Sequence, residues 1–489
     1  MSSPARAAAA LPPLKRALGL ADVTLYFVTA CSSMQWVATA AAAGPSALTL
    51  WVLGALTMFL PLSVCTVWLA SCYPDEGGMY VWAGRAFGPF AAFLTGWTYW
   101  TANLPYFAGM LYFAAANALW ISGGGRHAFE SVPAWYMGFA LAALILGTVL
   151  NVLGLGIGKW LSSAGAVARG LATLLLLALG LIAWQRFGSA TTFSLATLRP
   201  TFDLDGLLFW SAIAFAFVGP ESASLMGAEI RDPRRTVPRA LALAAPLVLL
   251  VYLGGTFAAQ VALPAADLNP MHAVMQAIHR IGSGLGLPWI TPLAALLVVI
   301  TCLGSTSAYL GSVARIPFVA GIDHLLPKSF ARLHPRYGSP ANALIAQSAI
   351  AMLFAVLGQA GTTVKGAYDV LVNMMVITTL LPFLAIFGAA IRLARGARTP
   401  GEARIPGGRL TVKATALLGL LSTTTAIGLS LLPRADEPNK VLAVSKVVGL
   451  SALLLAIGVA VYVNGMRRRA RLADAGAQRA SWEGGAQAD

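Results

Sequence analysis

The chain has 489 residues, of which 58% are hydrophobic and only 10% are charged, with a net charge of +15 and a mean hydropathy of +0.74. A soluble protein of this length needs far more charge to cover its surface, so the composition excludes that class. The apolar residues stand in blocks of about 20, which is the length that crosses a hydrocarbon core of about 30 Å. We therefore predict an all-α polytopic membrane protein.

About twelve such blocks follow one another along the chain, and we number them as spans 1 to 12. They cover residues 20–43, 48–70, 90–119, 134–156, 160–184, 207–229, 241–262, 287–315, 340–358, 367–393, 411–432 and 441–465. The predicted organisation is a cytoplasmic arm (1–19), a ten-helix core (20–393), a cytoplasmic loop with spans 11 and 12 (394–465), and a tail (466–489). The tail is poor in apolar residues, which predicts disorder.

The positive charges lie mainly on one side of this topology. With the N-terminus inside, arginines and lysines concentrate in the cytoplasmic loops, in the run at 231–239 and in the cluster at 467–471. This positive-inside asymmetry predicts a cytoplasmic-membrane protein with both termini in the cytoplasm and with contacts to anionic lipid headgroups. The net charge thus reports topology and indicates no nucleic-acid partner.

The cysteines and the catalytic motifs argue against other classes. The four cysteines lie in or beside predicted spans without CxxC spacing, so we expect neither a disulfide framework nor a metal site. No HExxH, nucleophile elbow or clustered acid pair is present in the sequence, so we expect no enzyme and no cofactor.

Span 1 carries a small polar interruption near its middle. Three small residues, Cys31, Ser32 and Ser33, are followed by Gln35 between two apolar stretches. Small hydroxyl residues satisfy freed backbone groups or let another helix approach closely. Because serine and cysteine are also common in unbroken membrane helices, this signal gains meaning only beside a second interruption.

Span 6 is interrupted by the triplet Gly219-Pro220-Glu221. Proline removes a backbone N–H and glycine relaxes the backbone. In a membrane such a break is tolerated only inside the protein or beside a water-filled cavity. Two interrupted spans at matching positions in two five-span halves are typical of inverted-repeat transporters, whose substrate site lies between them. A plain proline kink is the alternative interpretation.

Glu221 is an acid inside a membrane span, which is costly and points to function. A low-dielectric site favours the protonated carboxyl, so this residue could bind and release a proton near neutral pH. A structural hydrogen-bonding role is nearly as consistent with the sequence.

Aromatic residues provide candidate gates at Tyr99, Phe215 and Tyr309. Aromatic faces can cover an ammonium group through cation–π attraction. Ordinary helix packing and interfacial belts explain most membrane aromatics, so we favour a functional role only for Phe215 and Tyr309.

Three stretches resemble amino acid permeases of the amino acid–polyamine–organocation superfamily. They are YPDEGGMYVWAGRAFGPFAAFLTGWTYW after span 2, FVGPESASLMGAEIRDPRRTVPRA around the end of span 6, and CLGSTSAYLGSVARIPFVAGIDHLLPKSFARLHPRYGSPANAL from span 8 onward. With the matching number of spans, the resemblance covers nearly the whole chain. It implies a LeuT-like fold, with two inverted five-helix repeats, a substrate between broken spans 1 and 6, and two further C-terminal helices.

The resemblance also implies roles for individual residues. Gly219 and Glu221 match the family's sixth-span motif, and the run GPESAS particularly resembles proton-linked arginine/agmatine exchangers. In that branch Phe215 and Tyr309 fall at the positions of gating aromatics, and Tyr99 aligns with an aromatic of span 3.

The chain departs from the family pattern at two places. The run CSS at 31–33 replaces a Gly-Ser-Gly, which implies a reshaped site for a substrate carboxylate. Many proton-coupled relatives carry a lysine in span 5, where Thr173 aligns here, with Arg169 one turn away. Arg169 either substitutes for that cation or extends toward the cytoplasm. Sodium coupling would instead require the eighth-span hydroxyls at 305–307 beside a first-span carbonyl.

We therefore expect a secondary active transporter that moves amino acids by alternating access and is coupled to protons. Its predicted coupling residues are Glu221 and Arg169. Exchange of an amino acid for its amine without net ion coupling, and a non-transporting solute sensor, remain alternatives. The sequence leaves the substrate and the oligomeric state open. The predicted substrate-binding residues are Cys31, Ser32, Ser33, Gln35, Tyr99, Phe215, Val218, Gly219 and Tyr309.

Overall fold

The structure is a computed structural model that describes residues 19–73, 78–123, 127–153, 155–225, 230–314, 316–317, 326–327, 329–330, 332–399, 401–433 and 439–485. The N-terminal arm before residue 19 and part of the loop after span 8 (318–325, 328 and 331) lie outside these residues. The α-helices are α1 Leu20–Ala30, α2 Met34–Ala42, α3 Ser46–Gly54, α4 Leu60–Cys72, α5 Met79–Phe87, α6 Pro89–Ala118, α7 His127–Glu130, α8 Pro133–Val152, α9 Leu155–Phe187, α10 Leu195–Leu198, α11 Leu204–Ala216, α12 Pro233–Ala262, α13 Ala273–Gly284, α14 Ile290–Val313, α15 Ala341–Gln359, α16 Val364–Leu393, α17 Gly408–Ser430 and α18 Lys440–Gly485.

The described residues confirm the all-helical membrane architecture. Ten helical segments are long and apolar enough to cross a membrane. Spans 1 and 6 are represented by the shorter apolar segments Leu20–Ala30 and Gly206–Ser222. Length and composition alone identify these ten segments, so the number of twelve membrane crossings stays a prediction.

Both predicted interruptions are present as breaks in the helices. In span 1, α1 ends at Ala30, and Ser33 caps α2 by accepting a hydrogen bond from the Gln35 amide. In span 6, α11 ends at Ala216, and a 3₁₀ turn, Pro220–Leu225, follows Gly219. The sequence predicted a span that extends to residue 229, with its interruption at residues 219–221. The chain forms this 3₁₀ turn there, and residues 226–229 lie outside the described part.

The long helix α9 packs closely on α14 through two glycines. A methyl group added to Gly165 would lie 2.7 Å from the Cα atom of Gly304, so the two backbones are in direct contact. Small residues at a crossing allow this approach in membrane helices. Around this pair, α12 packs on α1, α2 and α9, while α16 packs along α6 and α17.

Buried hydrogen bonds tie α6, α8, α14 and α15 together as a scaffold. The Asn151 amide donates to the carbonyl of Ser307 at 3.1 Å and to its hydroxyl at 3.0 Å. Gln347 donates to the Leu310 carbonyl at 2.6 Å and accepts from the Trp100 indole at 3.2 Å. Polar side chains in an apolar interior hold neighbouring helices in a defined arrangement when all of them find partners.

Span 2 is continuous but contains a π-helical turn, Ala55–Phe59, between α3 and α4. At its far end, the Trp68 indole donates to Glu402 at 3.0 Å, and the Ser71 hydroxyl accepts from the Ala403 amide at 2.8 Å. These bonds join the end of α4 to the loop that precedes α17.

Two segments are more helical than the sequence predicted. The polar loop at 263–286 contains α13, a helix of 12 residues. The last helix, α18, continues to Gly485, past residue 466, where we expected a disordered tail. Low apolar content drove that expectation, but the segment 466–483 has a single glycine, no proline and many alanines and arginines, which favour helix.

Candidate functional site

The two helix breaks meet at Gly219. Its φ of 141° is a conformation that favours glycine. A methyl group at this position would lie 2.8 Å from the Cys31 sulfur and 2.9 Å from the Ala30 carbonyl oxygen. The break of span 6 therefore lies directly against the break of span 1, and only glycine fits between them.

The proline of the triplet leaves a backbone carbonyl to be satisfied. In a continuous helix the N–H of residue 220 would bond to the carbonyl of Ala216, but Pro220 has no N–H. The Tyr252 hydroxyl, on α12, donates to that carbonyl at 2.8 Å instead. A side chain on a neighbouring helix thus replaces the missing donor.

Glu221 is buried, with 1% of its surface exposed, and its carboxylate folds back onto the break. One carboxylate oxygen accepts the Gly219 amide N–H at 2.9 Å. The carboxyl lies within electrostatic range of the hydroxyl groups of Tyr26, Tyr99 and Tyr309, which come from α1, α6 and α14. Three tyrosines from three helices therefore belong to the electrostatic environment of this acid.

Some polar groups at the first-span break have a hydrogen-bond partner among the described residues, and others have none. The Ser32 hydroxyl donates to the Val28 carbonyl within α1, whereas the Ser32 amide N–H meets no acceptor among the described residues. The fully buried Gln35 donates its amide to the Tyr368 hydroxyl on α16 at 2.8 Å. Its amide oxygen is buried without a hydrogen-bond partner.

The sixth-span break is similar. The carbonyl oxygens of Phe217 and Val218 receive no hydrogen bond from the part of the chain that the structure describes. The half-buried Val218 donates its own amide to the Phe215 carbonyl at 2.9 Å. Unsatisfied N–H and C=O groups therefore remain at the two breaks.

Arg169 reaches inward to the first-span break. Its guanidinium donates to the carbonyls of Thr29 and Ser32, the second at 3.0 Å, and to the Ser305 hydroxyl on α14. The neighbouring Thr173 donates its hydroxyl to the Arg169 carbonyl one turn back. The sequence left open whether Arg169 is an internal cation or extends toward the cytoplasm, and the side chain takes the internal position. It also occupies oxygens that a bound sodium ion would have needed.

The predicted aromatic gates contact different partners. Phe215 packs edge-on against Trp36 of α2, with ring centroids 5.2 Å apart. Tyr309 packs against Tyr106 of α6 at 5.4 Å. Tyr99 is buried on α6 two turns before Tyr106, on the same helix face.

Sequence reasoning missed several residues of this site. Tyr106 follows the candidate Tyr99 by two turns of the same helix and could have been found by that spacing. Tyr26, Trp36, Tyr252 and Tyr368 carried no signal, because their role depends on which helices become neighbours. Among the described residues, no group of three metal-ligating side chains occurs, and the four cysteines are free.

Two interrupted helices in contact inside a membrane-spanning bundle, with unsatisfied backbone groups at both breaks, are the arrangement of a LeuT-like multi-pass transporter. A solved structure of MhsT in complex with L-phenylalanine has this fold, with a TM-score of 0.55 and 15% identity, covering 90% of this chain and 98% of that one. More narrowly, residues 18–459 match the family model described as amino acid permease, so the chain belongs to the amino acid permease family.

Individual relatives agree with that assignment. An uncharacterized transporter of Legionella pneumophila is 27% identical over 431 residues, covering 87% of this chain and 92% of the relative. A probable agmatine/putrescine antiporter of Lactococcus lactis, AguD, is 23% identical over 76% of this chain and 78% of its own length. The recognised family and the expectation of a transporter rather than an enzyme are confirmed.

Proposed function

We propose that this permease carries an amino acid or its amine by alternating access and that Glu221 couples transport to proton binding. The observation that carries the proposal is the contact between the two helix breaks at Gly219, where polar backbone groups of both spans are left without partners. Such groups, with the dipoles of the half-helices, can hold a carboxylate and an ammonium.

The substrate would lie between the breaks. Its carboxylate would accept the Ser32 amide N–H, which has no acceptor among the described residues. Its ammonium would face the carbonyls of Phe217 and Val218. Phe215 and Tyr309, each packed on a second aromatic ring, would close the site from either side, with Cys31, Ser33, Gln35 and Tyr99 lining it.

Glu221 would act through its bond to the Gly219 amide. When ionised, the carboxylate accepts this N–H at the centre of the break. A protonated carboxyl is a weaker acceptor and also a donor, so proton binding changes how the break is held. Arg169 is a fixed positive charge beside the other break, because an arginine keeps its charge at all physiological pH values.

The test is labelled-substrate uptake into proteoliposomes, using a panel of amino acids and amines with proton and sodium gradients imposed separately. Uptake should respond to the proton gradient and be unchanged when sodium is replaced by choline. Glu221→Gln keeps an acceptor oxygen for Gly219 and should flatten the pH dependence of uptake while leaving folded protein. Wild-type pH dependence in this variant would contradict the coupling role.

Exchange is the second candidate function. It is favoured by the departure of the span 1 break from glycine, which alters the site for a carboxylate, and by the relative named as an antiporter of two amines. In the same proteoliposomes, an exchanger would take up label only when the lumen is loaded with unlabelled amino acid or amine. A proton-coupled carrier would concentrate label into empty vesicles.

The orientation is part of the proposal. The arginine-rich loops would face the cytoplasm of a cell membrane, where they would meet anionic lipid headgroups. Cysteine labelling from either side of intact cells at loop positions would test it.

A further inference from the structure

Tyr252 lies outside the proposed substrate site but forms a hydrogen bond to one of the two helix breaks that make up this site. Helix α11 ends at Ala216, whose carbonyl has no intrahelical donor, and an unsatisfied carbonyl in an apolar interior is costly. The Tyr252 hydroxyl supplies the donor at 2.8 Å from the next helix along the chain. A side chain of α12 therefore satisfies the carbonyl that the break in span 6 leaves without a donor.

The same hydroxyl is also near the other break. Its oxygen lies close to the backbone N–H of Ser33, the residue that caps α2. One hydroxyl group thus donates to span 6 and lies beside the break of span 1. Helix α12 is placed to do this, because it packs along both α1 and α2.

The ring of Tyr252 is held in one position. It is fully buried and stacks on Trp51 with ring centroids 4.0 Å apart and planes 5° apart. The Phe217 ring, from the break itself, meets both of these rings edge-on at 5.4 Å. The Trp51 indole is fixed in turn by a bond to the Thr256 hydroxyl at 3.0 Å. A hydroxyl on such a ring has little freedom to leave the Ala216 carbonyl.

We propose that Tyr252 is a positioning residue that supplies the donor missing at the end of α11 and holds the two breaks in register for the substrate. This deepens the proposed transport function and rests on it. A buried carbonyl that loses its donor costs about 1–3 kcal/mol. Tyr252→Phe keeps the stacked ring but removes the hydroxyl, so the substrate KM should rise about tenfold.

The decisive experiment compares two losses of a buried tyrosine hydroxyl, one at the break of span 6 and one away from it. Tyr112→Phe removes another buried tyrosine hydroxyl, which contacts the Ala355 carbonyl at 3.3 Å away from the breaks, and serves as the matched control. It should leave the KM within about twofold of wild type.

Hydrogen exchange gives a second readout that needs no substrate. Tyr252→Phe should speed amide exchange in residues 27–36 and 213–222, whereas Tyr112→Phe should leave both segments at the wild-type rate. A wild-type KM in Tyr252→Phe, or wild-type exchange in both segments, would overturn the proposal. If wild-type protein transports nothing on the panel, the proposed function fails, and the exchange pattern alone still decides the role of Tyr252.

Discussion

Gly219→Ala tests the contact between the two helix breaks. At φ 141°, a residue with a Cβ is strained, which costs on the order of 1–3 kcal/mol. The added methyl group would also lie 2.8 Å from the Cys31 sulfur and 2.9 Å from the Ala30 carbonyl oxygen. Such overpacking costs about 1–3 kcal/mol more. The sum, about 4 kcal/mol, disfavours the arrangement of the breaks roughly a thousandfold.

The assay combines initial uptake rates in proteoliposomes with thermal unfolding in detergent. We expect Gly219→Ala to lose at least about 99% of uptake, with a lowered Tm. Gly170→Ala is the matched control, because a methyl group added at this position of α9 meets nothing within 4 Å, and alanine favours helix.

A second variant locates the clash. Adding Cys31→Ala to Gly219→Ala removes the sulfur contact but leaves the carbonyl contact and the strained φ, so only part of the Tm loss should return. Gly219→Ala protein with uptake within twofold of wild type would refute the close approach of spans 1 and 6.

Three further predictions concern polar groups in the site, in the loop before α17 and in the scaffold. Arg169→Met should reduce uptake at least tenfold, measured in proteoliposomes, because it removes the donors to the first-span carbonyls, whereas Arg169→Lys should retain part of it. The Arg409 side-chain hydrogen bonds lower the pKa of Glu402 from 4.5 to about 2. This folded-state depression stabilises the protein fully above pH 4.5 and is lost as the pH falls toward 2. Glu402→Gln should therefore lower the Tm at pH 7 by the equivalent of about 1–3 kcal/mol, with the gap to wild type narrowing below pH 4.5; a constant gap down to pH 3 would contradict it. Asn151→Leu should lower the Tm by the equivalent of about 1–3 kcal/mol in thermal unfolding, because it breaks the scaffold bond to α14; an unchanged Tm would show that this bond contributes nothing.

The helical architecture and the two breaks were predictable because local chemistry determines them. Long apolar blocks form helices in a membrane, and a Gly-Pro pair inside such a block is tolerated only in protein or beside a water-filled cavity. The position of Gly219 and Glu221 at the break therefore follows from a few neighbouring residues. The same reasoning correctly located the weaker interruption at Ser32.

The partners of these residues could not be predicted, because they come from distant parts of the chain. Tyr252 lies 36 positions after the carbonyl that it satisfies, and Gln35 meets a tyrosine 333 positions away. Arg169 had two possible directions until the packing of α9 on α14 placed Ser305 beside it. Long-range packing selects among side chains whose local sequence is indistinguishable from ordinary helix.

The tail illustrates the opposite error. Low hydrophobicity indicates that a segment cannot build a core, but it does not oppose local helix formation. Residues after 466 continue the last membrane helix, which supplies the nucleus that an isolated segment would lack.

The number of residues in the π-helical turn at 55–59 sets how far α4 is rotated about the helix axis relative to α3. A π-turn contains one residue more than the α-helix around it, and each residue of an α-helix turns the chain by about 100°. Deleting one residue there would leave the span apolar and long enough to cross the membrane. It would, however, rotate α4 away from the loop that Trp68 and Ser71 bind. A hydropathy profile would not detect this change, although the two ends of the span would no longer face their partners together.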